Sequence, residues 1–247
     1  MAPATIEALD AGQAPRLPRP TGRREFRGFF PVVSGMLLAG LLVGFAKTFF
    51  LRSLFSVPAI PPYLYVHGVV LTTWYVLVLA QTCLVAAHRT DLHRRLGVVA
   101  VVVAALLIPI SAFVVVKAVP RMQGMDPSLI RLAIVGDFLT LVVFAGFVAA
   151  GVYFRQRSDV HKRLMIASCF VIYGPVFARF NLVYGLPIPP PVVVPLTLLA
   201  LGAYDFSLAR RLHRATIWIA FVLVALLLLL GLLIASGAAD ALIHALR

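Results

Sequence analysis

The chain has 247 residues, of which 62% are apolar and 13% are charged, and its mean hydropathy is +1.00. Soluble domains are usually about 45–50% apolar and about 25% charged, so this composition excludes an ordinary water-soluble globule. A net charge of +13 would suggest nucleic acid in a soluble protein. Here the charges lie between long apolar runs, so we expect no nucleic-acid partner. Two cysteines exclude both a disulfide scaffold and a cysteine-based zinc site.

Residues 1–28 differ from the rest of the chain in composition. They contain the prolines Pro3, Pro15, Pro18 and Pro20 and the arginines Arg16, Arg19, Arg23, Arg24 and Arg27. This composition predicts a disordered basic tail. No apolar run precedes residue 29, so we expect no cleavable signal peptide.

Seven apolar segments follow, each close to the roughly 20 residues that a helix needs to cross a bilayer. They are residues 29–50, 63–87, 96–117, 130–154, 164–184, 192–209 and 215–236. Because the segments are long and do not alternate in polarity, barrel strands are excluded. The sequence therefore predicts an all-α polytopic membrane bundle of seven transmembrane helices over residues 29–236, followed by a short outer tail, residues 237–247.

The distribution of lysine and arginine predicts the orientation. Fifteen of these residues lie in the tail and in the loops after segments 2, 4 and 6, whereas seven lie on the other side. Loops rich in Lys and Arg stay in the cytoplasm. We therefore expect a cytoplasmic N-terminus and a C-terminus outside, with the lipid bilayer as the main partner.

Three helical hairpins, formed by segments 2–3, 4–5 and 6–7, share a turn sequence on the cytoplasmic side. The runs Asp91–Leu96 and Asp159–Leu164 both read Asp, apolar, His, basic, Arg, Leu, and the third hairpin keeps Leu212-His213-Arg214. Internal duplication is common in membrane proteins, and binding sites often lie between the repeats.

This motif has two interpretations. In the first, Asp91 and Asp159 are helix N-caps and each histidine is an interfacial residue. In the second, His93, His161 and His213 converge as ligands of a transition metal, or two of them hold a haem iron from both sides. The sequence leaves both interpretations open.

A second set of polar residues lies in the outer half of the bundle. His67, Asp137 and Arg179 are each predicted at a similar depth below the outer surface. A charged side chain inside a membrane is costly, about 2.5–3.5 kcal/mol on insertion scales, unless it is paired. We therefore expect an Asp137–Arg179 ion pair with His67 hydrogen-bonded to Asp137, as a structural pair, a proton relay or a polar ligand pocket.

Two further features bear on helix packing. Prolines inside three segments (Pro109, Pro175 and Pro195) free backbone carbonyls and permit kinks that open a cavity. Asp205, at the inner end of segment 6, is expected to pair with Arg210 or Arg211.

The motifs are similar to those of a bacterial family of seven-helix integral membrane proteins without an assigned activity. They comprise His67-Gly68, Trp74, Gln81, Leu92–Gly97, Gly136-Asp137, His161–Met165, Gly174-Pro175, Arg179 and the segment from Asp205 to His213. They extend over segments 2–7. The resemblance implies a multi-pass protein of the bacterial cytoplasmic (inner) membrane.

The chain also resembles DUF2306-type membrane proteins and, more loosely, cytochrome b561, whose four core helices hold two haems between histidine pairs. On that pattern His93 and His161 would match one ligand pair, and His67 and Asp137 the other. A carboxylate is a poor partner for haem b iron, so at most one such haem is implied.

Three functions remain open from the sequence. The chain is a redox or metal-dependent membrane protein using His93, His161 and His213, a transporter of protons or a small molecule using His67, Asp137 and Arg179, or a non-catalytic subunit of a larger membrane complex. The sequence does not decide whether it is an enzyme.

Overall fold

The structure, a computed structural model, describes residues 28–122 and 124–246, so the predicted tail lies outside it except for Gly28. All regular structure within these ranges is helical. The α-helices are α1 Phe29–Gly44, α2 Pro62–Ala86, α3 Thr90–Ala118, α4 Pro127–Tyr153, α5 Ser158–Val171, α6 Gly174–Tyr184, α7 Val193–Ala209, α8 Arg214–Ala235 and α9 Ala238–Ala245. The all-α prediction is confirmed for the described residues.

Six helical stretches are long and apolar enough to cross a membrane. They are Pro62–Ala86, Thr90–Met122, Pro127–Tyr153, Ser158–Tyr184, Pro190–Ala209 and Arg214–Ala235. Helix α1 has 16 residues, about 24 Å at 1.5 Å per residue, and a π-helical turn at Ala46–Phe50 follows it. The structure thus supports a multi-pass helical membrane bundle with six such stretches and a shorter first helix.

Helix α5 lies inside the bundle, in contact with α1, α4, α7 and α8. Its residues from 163 to 171 are nearly all buried, with no exposed face in that stretch. Helices α2 and α3 pack along each other, as do α4 and α5. Aromatic side chains fill the centre: the Trp74 and Phe144 rings meet edge-to-face at 5.3 Å, and both residues are fully buried.

The fifth predicted segment is broken between Val171 and Gly174, where the proline near its centre was expected only to permit a kink. Pro175 lies in the first turn of α6, where its missing N–H and fixed φ are tolerated. The hydroxyl of Tyr173, which lies within the break, donates to the Leu37 carbonyl of α1 at 2.8 Å, so the start of α6 is attached to α1. By contrast, α3 continues through Pro109, and Pro195 lies in the first turn of α7.

Most of the predicted short outer tail, residues 237–247, forms helix α9. Helix α9 packs against α4, where Arg131 and Asp240 form an ion pair at 3.0 Å. Ile243 of α9 is buried in a small apolar cluster with Ile130 and Ile134. The C-terminal end of the chain therefore adds to the core at the predicted outer end of α4.

Candidate histidine pair and polar cluster

The histidines of the two most similar turn sequences, His93 and His161, come together at one end of the bundle. His93 is the fourth residue of α3 and His161 is the fourth residue of α5. Their ring centroids are 6.2 Å apart and their planes are nearly perpendicular, at 88°. Two residues separated by 68 positions in sequence are thus neighbours because the first turns of α3 and α5 lie close together.

Hydrogen bonds define the tautomer of both rings. His161 Nδ1 lies 2.7 Å from the Gly151 carbonyl oxygen, and His93 Nδ1 lies 3.4 Å from the Gln81 carbonyl oxygen. A carbonyl oxygen only accepts, so Nδ1 carries the proton in each neutral ring. The lone pair is then on Nε2, which is the arrangement found in histidines that bind metals.

His213 has a different role, and the three-histidine prediction is not supported. Its Nδ1 accepts the Ala215 amide at 3.1 Å and so caps the start of α8. Its Nε2 then carries the proton and donates to Asp159 Oδ2 at 2.9 Å. With both nitrogens engaged, His213 has no free lone pair. Within the described ranges no group of three or more His, Cys, Asp or Glu side chains is placed to hold a metal ion.

The other interpretation of the motif, with aspartate caps, also needs correction. Helices α3 and α5 begin one residue earlier than Asp91 and Asp159, and neither helix start has a side-chain cap. Asp159 instead accepts the proton of His213, which links the start of α5 to the start of α8.

A buried ion pair lies next to this end of α5. Arg163 and Asp205 are 2% and 1% exposed, and the Arg163 guanidinium donates to Asp205 Oδ1 from both Nε, at 3.0 Å, and Nη2. Asp205 Oδ2 accepts from the His213 amide at 2.8 Å and from the Thr216 hydroxyl at 2.6 Å. One carboxylate therefore joins α5, α7 and α8.

The expected pairing of Asp205 with Arg210 or Arg211 is wrong. Arg210 adopts the left-handed conformation, φ 56°, and ends α7, whereas Asp205 turns inward toward α5. Sequence reasoning missed Arg163 as the partner because it assigned the basic residues of the repeat to topology. One signal of this pairing was available in the sequence. Arg163 lies one residue before the apolar segment 164–184, and Asp205 lies inside the apolar segment 192–209, so both charges are close to apolar surroundings.

The outer polar residues are not joined as predicted. In the described part of the chain the Asp137 carboxylate takes part in no ion pair, so the expected bond to Arg179 is not formed. His67 Nδ1 lies 3.5 Å from the Ser111 hydroxyl on α3 instead of contacting Asp137. The Arg179 guanidinium lies over the Phe45 ring, 5.3 Å from its centroid.

These residues nevertheless share the interior side of the bundle. Asp137 is on the α4 face that carries Ile134, Leu141 and Phe144, all buried, because residues three, four and seven apart align on a helix. His67 is on the α2 face of the buried Trp74 in the same way. Asp137 and His67 are both half-buried, so they face the inside of the bundle without direct contact.

No family model, no curated protein and no solved structure matches this chain.

Proposed function

We propose that this chain is a redox protein of the bacterial cytoplasmic membrane in which His93 and His161 bind one metal centre, with haem b iron as the first candidate. The observation that carries the proposal is the separation of the two rings. A metal–nitrogen bond is about 2.0–2.1 Å, and each nitrogen lies roughly 1.1 Å from its ring centre. Two imidazoles that share one ion therefore have centroids at most about 6.3 Å apart. The observed 6.2 Å is within this limit.

The small number of ligands favours haem over a bare ion. Structural zinc takes four ligands from the protein, and catalytic zinc and non-haem iron sites usually take three. A porphyrin supplies four nitrogens itself, so haem iron needs only two side chains. The pair of histidines, without a third metal-binding group beside them in the described residues, fits the second case.

The chain's own residues would orient such a centre. The Gly151 and Gln81 carbonyls hold the proton on Nδ1 of the two histidines and so keep Nε2 available. His93 and His161 would hold the haem iron, which would supply one-electron transfer when bound. Asp205 and Arg163 hold α5, which carries His161, against α7 and α8.

The absorption spectrum of the full chain, purified in detergent, tests the proposal. We expect a Soret band and sharpened α and β bands on reduction, either as isolated or after titration with haemin. His93→Ala and His161→Ala should each abolish the band, whereas His213→Ala and His67→Ala should retain it. Bound metal without a Soret band would replace haem by a bare ion. Absence of both, with the helical content intact, would refute the proposal.

The proposal includes a seven-span topology with the N-terminus in the cytoplasm. Its support is the excess of Lys and Arg in the tail and in the loops after α2, α4 and α7. Helix α1 would be the first span: its Leu37 and Leu41 are buried in the common core, and the π-helical turn extends it. The equivalent carbonyl bonds of His93 and His161 support a repeat of the first two hairpins.

A transporter is the second candidate, and the placement of Asp137 favours it. An acidic residue on an interior helix face with no ion-pair partner in the described chain suits the binding of a proton or a cationic group. In this case Asp137→Asn would abolish uptake in reconstituted vesicles while leaving any haem spectrum intact. If Asp137→Asn, His67→Ala and Arg179→Gln left every transport assay unchanged, this candidate would be excluded; a subunit role would then predict stable co-purification with other membrane proteins.

A further inference from the structure

An apolar groove opens on the surface of the α2–α3 hairpin, at the end of α3 opposite to His93. It has a volume of about 290 Å³ and is lined by Tyr63, Val66, Pro109, Ile110 and Phe113. Val66 and Phe113 are 53% and 47% exposed, so the groove faces outward rather than into the bundle.

Two cations lie at one end of this groove and contact its aromatic rings. The Lys117 Nζ is 5.6 Å from the Phe113 centroid, and the Arg121 guanidinium is 5.5 Å from the Tyr63 centroid. Arg121 Nε also donates to the Lys117 carbonyl at 3.1 Å, which keeps the two residues together. The groove and the cations are therefore one surface, which we call the rim groove.

Among residues 28–122 and 124–246, no carboxylate forms an ion pair with the cations of the rim groove. Both Lys117 and Arg121 are exposed, and neither takes part in an ion pair in the described chain. Arg121 is also near enough to Arg179 for their positive charges to repel. Asp126, the next carboxylate along the chain, accepts from Ser128.

The depth of these residues matches the layers of a bilayer. Lys117 lies in the last turn of α3 and Arg121 in the 3₁₀ turn that follows, at the end of the membrane-length stretch Thr90–Met122. Pro109 lies eight residues before Lys117, about 12 Å deeper along the helix. Positive charge at the interface and an apolar surface below it complement the two parts of a phospholipid, its headgroup and its acyl chains.

We propose that the rim groove binds one anionic glycerophospholipid, with an acyl chain along Val66, Pro109 and Ile110 and the phosphate between Lys117 and Arg121. Basic pockets between membrane helices bind anionic headgroups, and each Lys or Arg near the surface contributes on the order of a fivefold gain in affinity. A zwitterionic lipid would bring its own cation to this site. A free phosphate would leave the apolar groove unused.

Native mass spectrometry of the full chain tests the proposal, with titration by dioleoyl phosphatidylglycerol or dioleoyl phosphatidylcholine. We expect one phosphatidylglycerol to bind at least about tenfold more tightly than phosphatidylcholine. The double variant Lys117→Gln/Arg121→Gln should lose about 25-fold in affinity for phosphatidylglycerol, as two charges each worth about fivefold are removed. Ile110→Trp, which fills the groove, should weaken both lipids.

The matched control is Arg155→Gln/Arg157→Gln at the opposite end of the bundle. These two residues are also exposed; Arg155 donates to a backbone carbonyl and Arg157 lies over the Phe154 ring at 5.7 Å. The control variant should bind one phosphatidylglycerol as tightly as the wild-type chain does. Equal affinity for the two lipids, an equal loss in the control, or displacement of the lipid by millimolar inorganic phosphate would each overturn the proposal.

Discussion

The buried ion pair between Arg163 and Asp205 allows the sharpest test of the packing around α5. We consider Asp205→Asn, which keeps the shape of the side chain and removes its charge. In the native structure the Asp205 carboxylate accepts from Arg163, Thr216 and the His213 amide. In the variant the Arg163 guanidinium, 2% exposed, has no counter-charge.

The expected loss follows from this burial. Removing one partner of a buried pair costs about 3–5 kcal/mol, because the other charge stays away from water without compensation. Arg131 and Asp240 provide a matched control on the surface, since their side chains are 27% and 59% exposed. Exposed pairs contribute only about 0.2–1 kcal/mol. Asp240→Asn should therefore lose less than about 1 kcal/mol.

Unfolding of the purified chain by SDS in mixed micelles, followed by circular dichroism, measures both losses. Replacing both partners by uncharged residues, as in Arg163→Met/Asp205→Asn, leaves no stranded charge and should recover more than half of the loss. If Asp205→Asn lost no more stability than Asp240→Asn, or if the double variant lost the sum of its two single variants, the stranded-charge explanation would be refuted.

Two further predictions concern helix packing and a helix cap. A methyl group at Gly40 would overlap the Tyr173 hydroxyl and disturb its bond to Leu37, so Gly40→Ala should lose about 1–3 kcal/mol. Gly146 has open space around it, so Gly146→Ala should be neutral or gain up to about 1 kcal/mol; equal thermal midpoints for the two variants would contradict this. At the start of α4, hydrogen bonds from the Ser128 hydroxyl and amide hold the pKa of Asp126 below its usual value. The ionised Asp126 carboxylate therefore contributes to the stability of the folded chain above the ordinary aspartate pKa. This contribution is lost as the pH falls through the lowered pKa of the folded state. On acidification the thermal unfolding midpoint of the wild-type chain should fall toward that of Asp126→Ala. A difference between the two midpoints that stays constant with pH would contradict a stabilising role for the Asp126 carboxylate.

Much of the fold could be predicted from runs of apolar residues. Inside lipid a helix is the one isolated element that satisfies its own backbone, so a run of about 20 apolar residues indicates a helix whatever its neighbours are. The sequence predicted that Pro175 permits a kink, for a reason equally local, and the structure has a full break between α5 and α6 beside it. The first segment formed a shorter helix than expected, because α1 ends at Gly44 and the chain continues as a π-helical turn.

Pairings between helices could be predicted only in part. His93 and His161 meet because each occupies the fourth position of a helix, and those helices start side by side. Asp137 and Arg179 were placed at similar depths but form no ion pair, since α6 packs on α1 while α4 packs on α3, α5 and α8. Depth along a helix follows from position in the sequence, whereas helix neighbours do not.

The sequence by itself determined which residues form helices, how polar each end of the bundle is, and which side chains carry a charge into the apolar region. Only the tertiary structure decided that Asp205 pairs with Arg163, that His213 caps α8, and that His67 faces Ser111. The physical reason is the distance along the chain over which each interaction acts. Helix formation and burial depend on residues within a few turns, but a buried charge takes whichever partner the packing of distant helices brings within hydrogen-bonding distance.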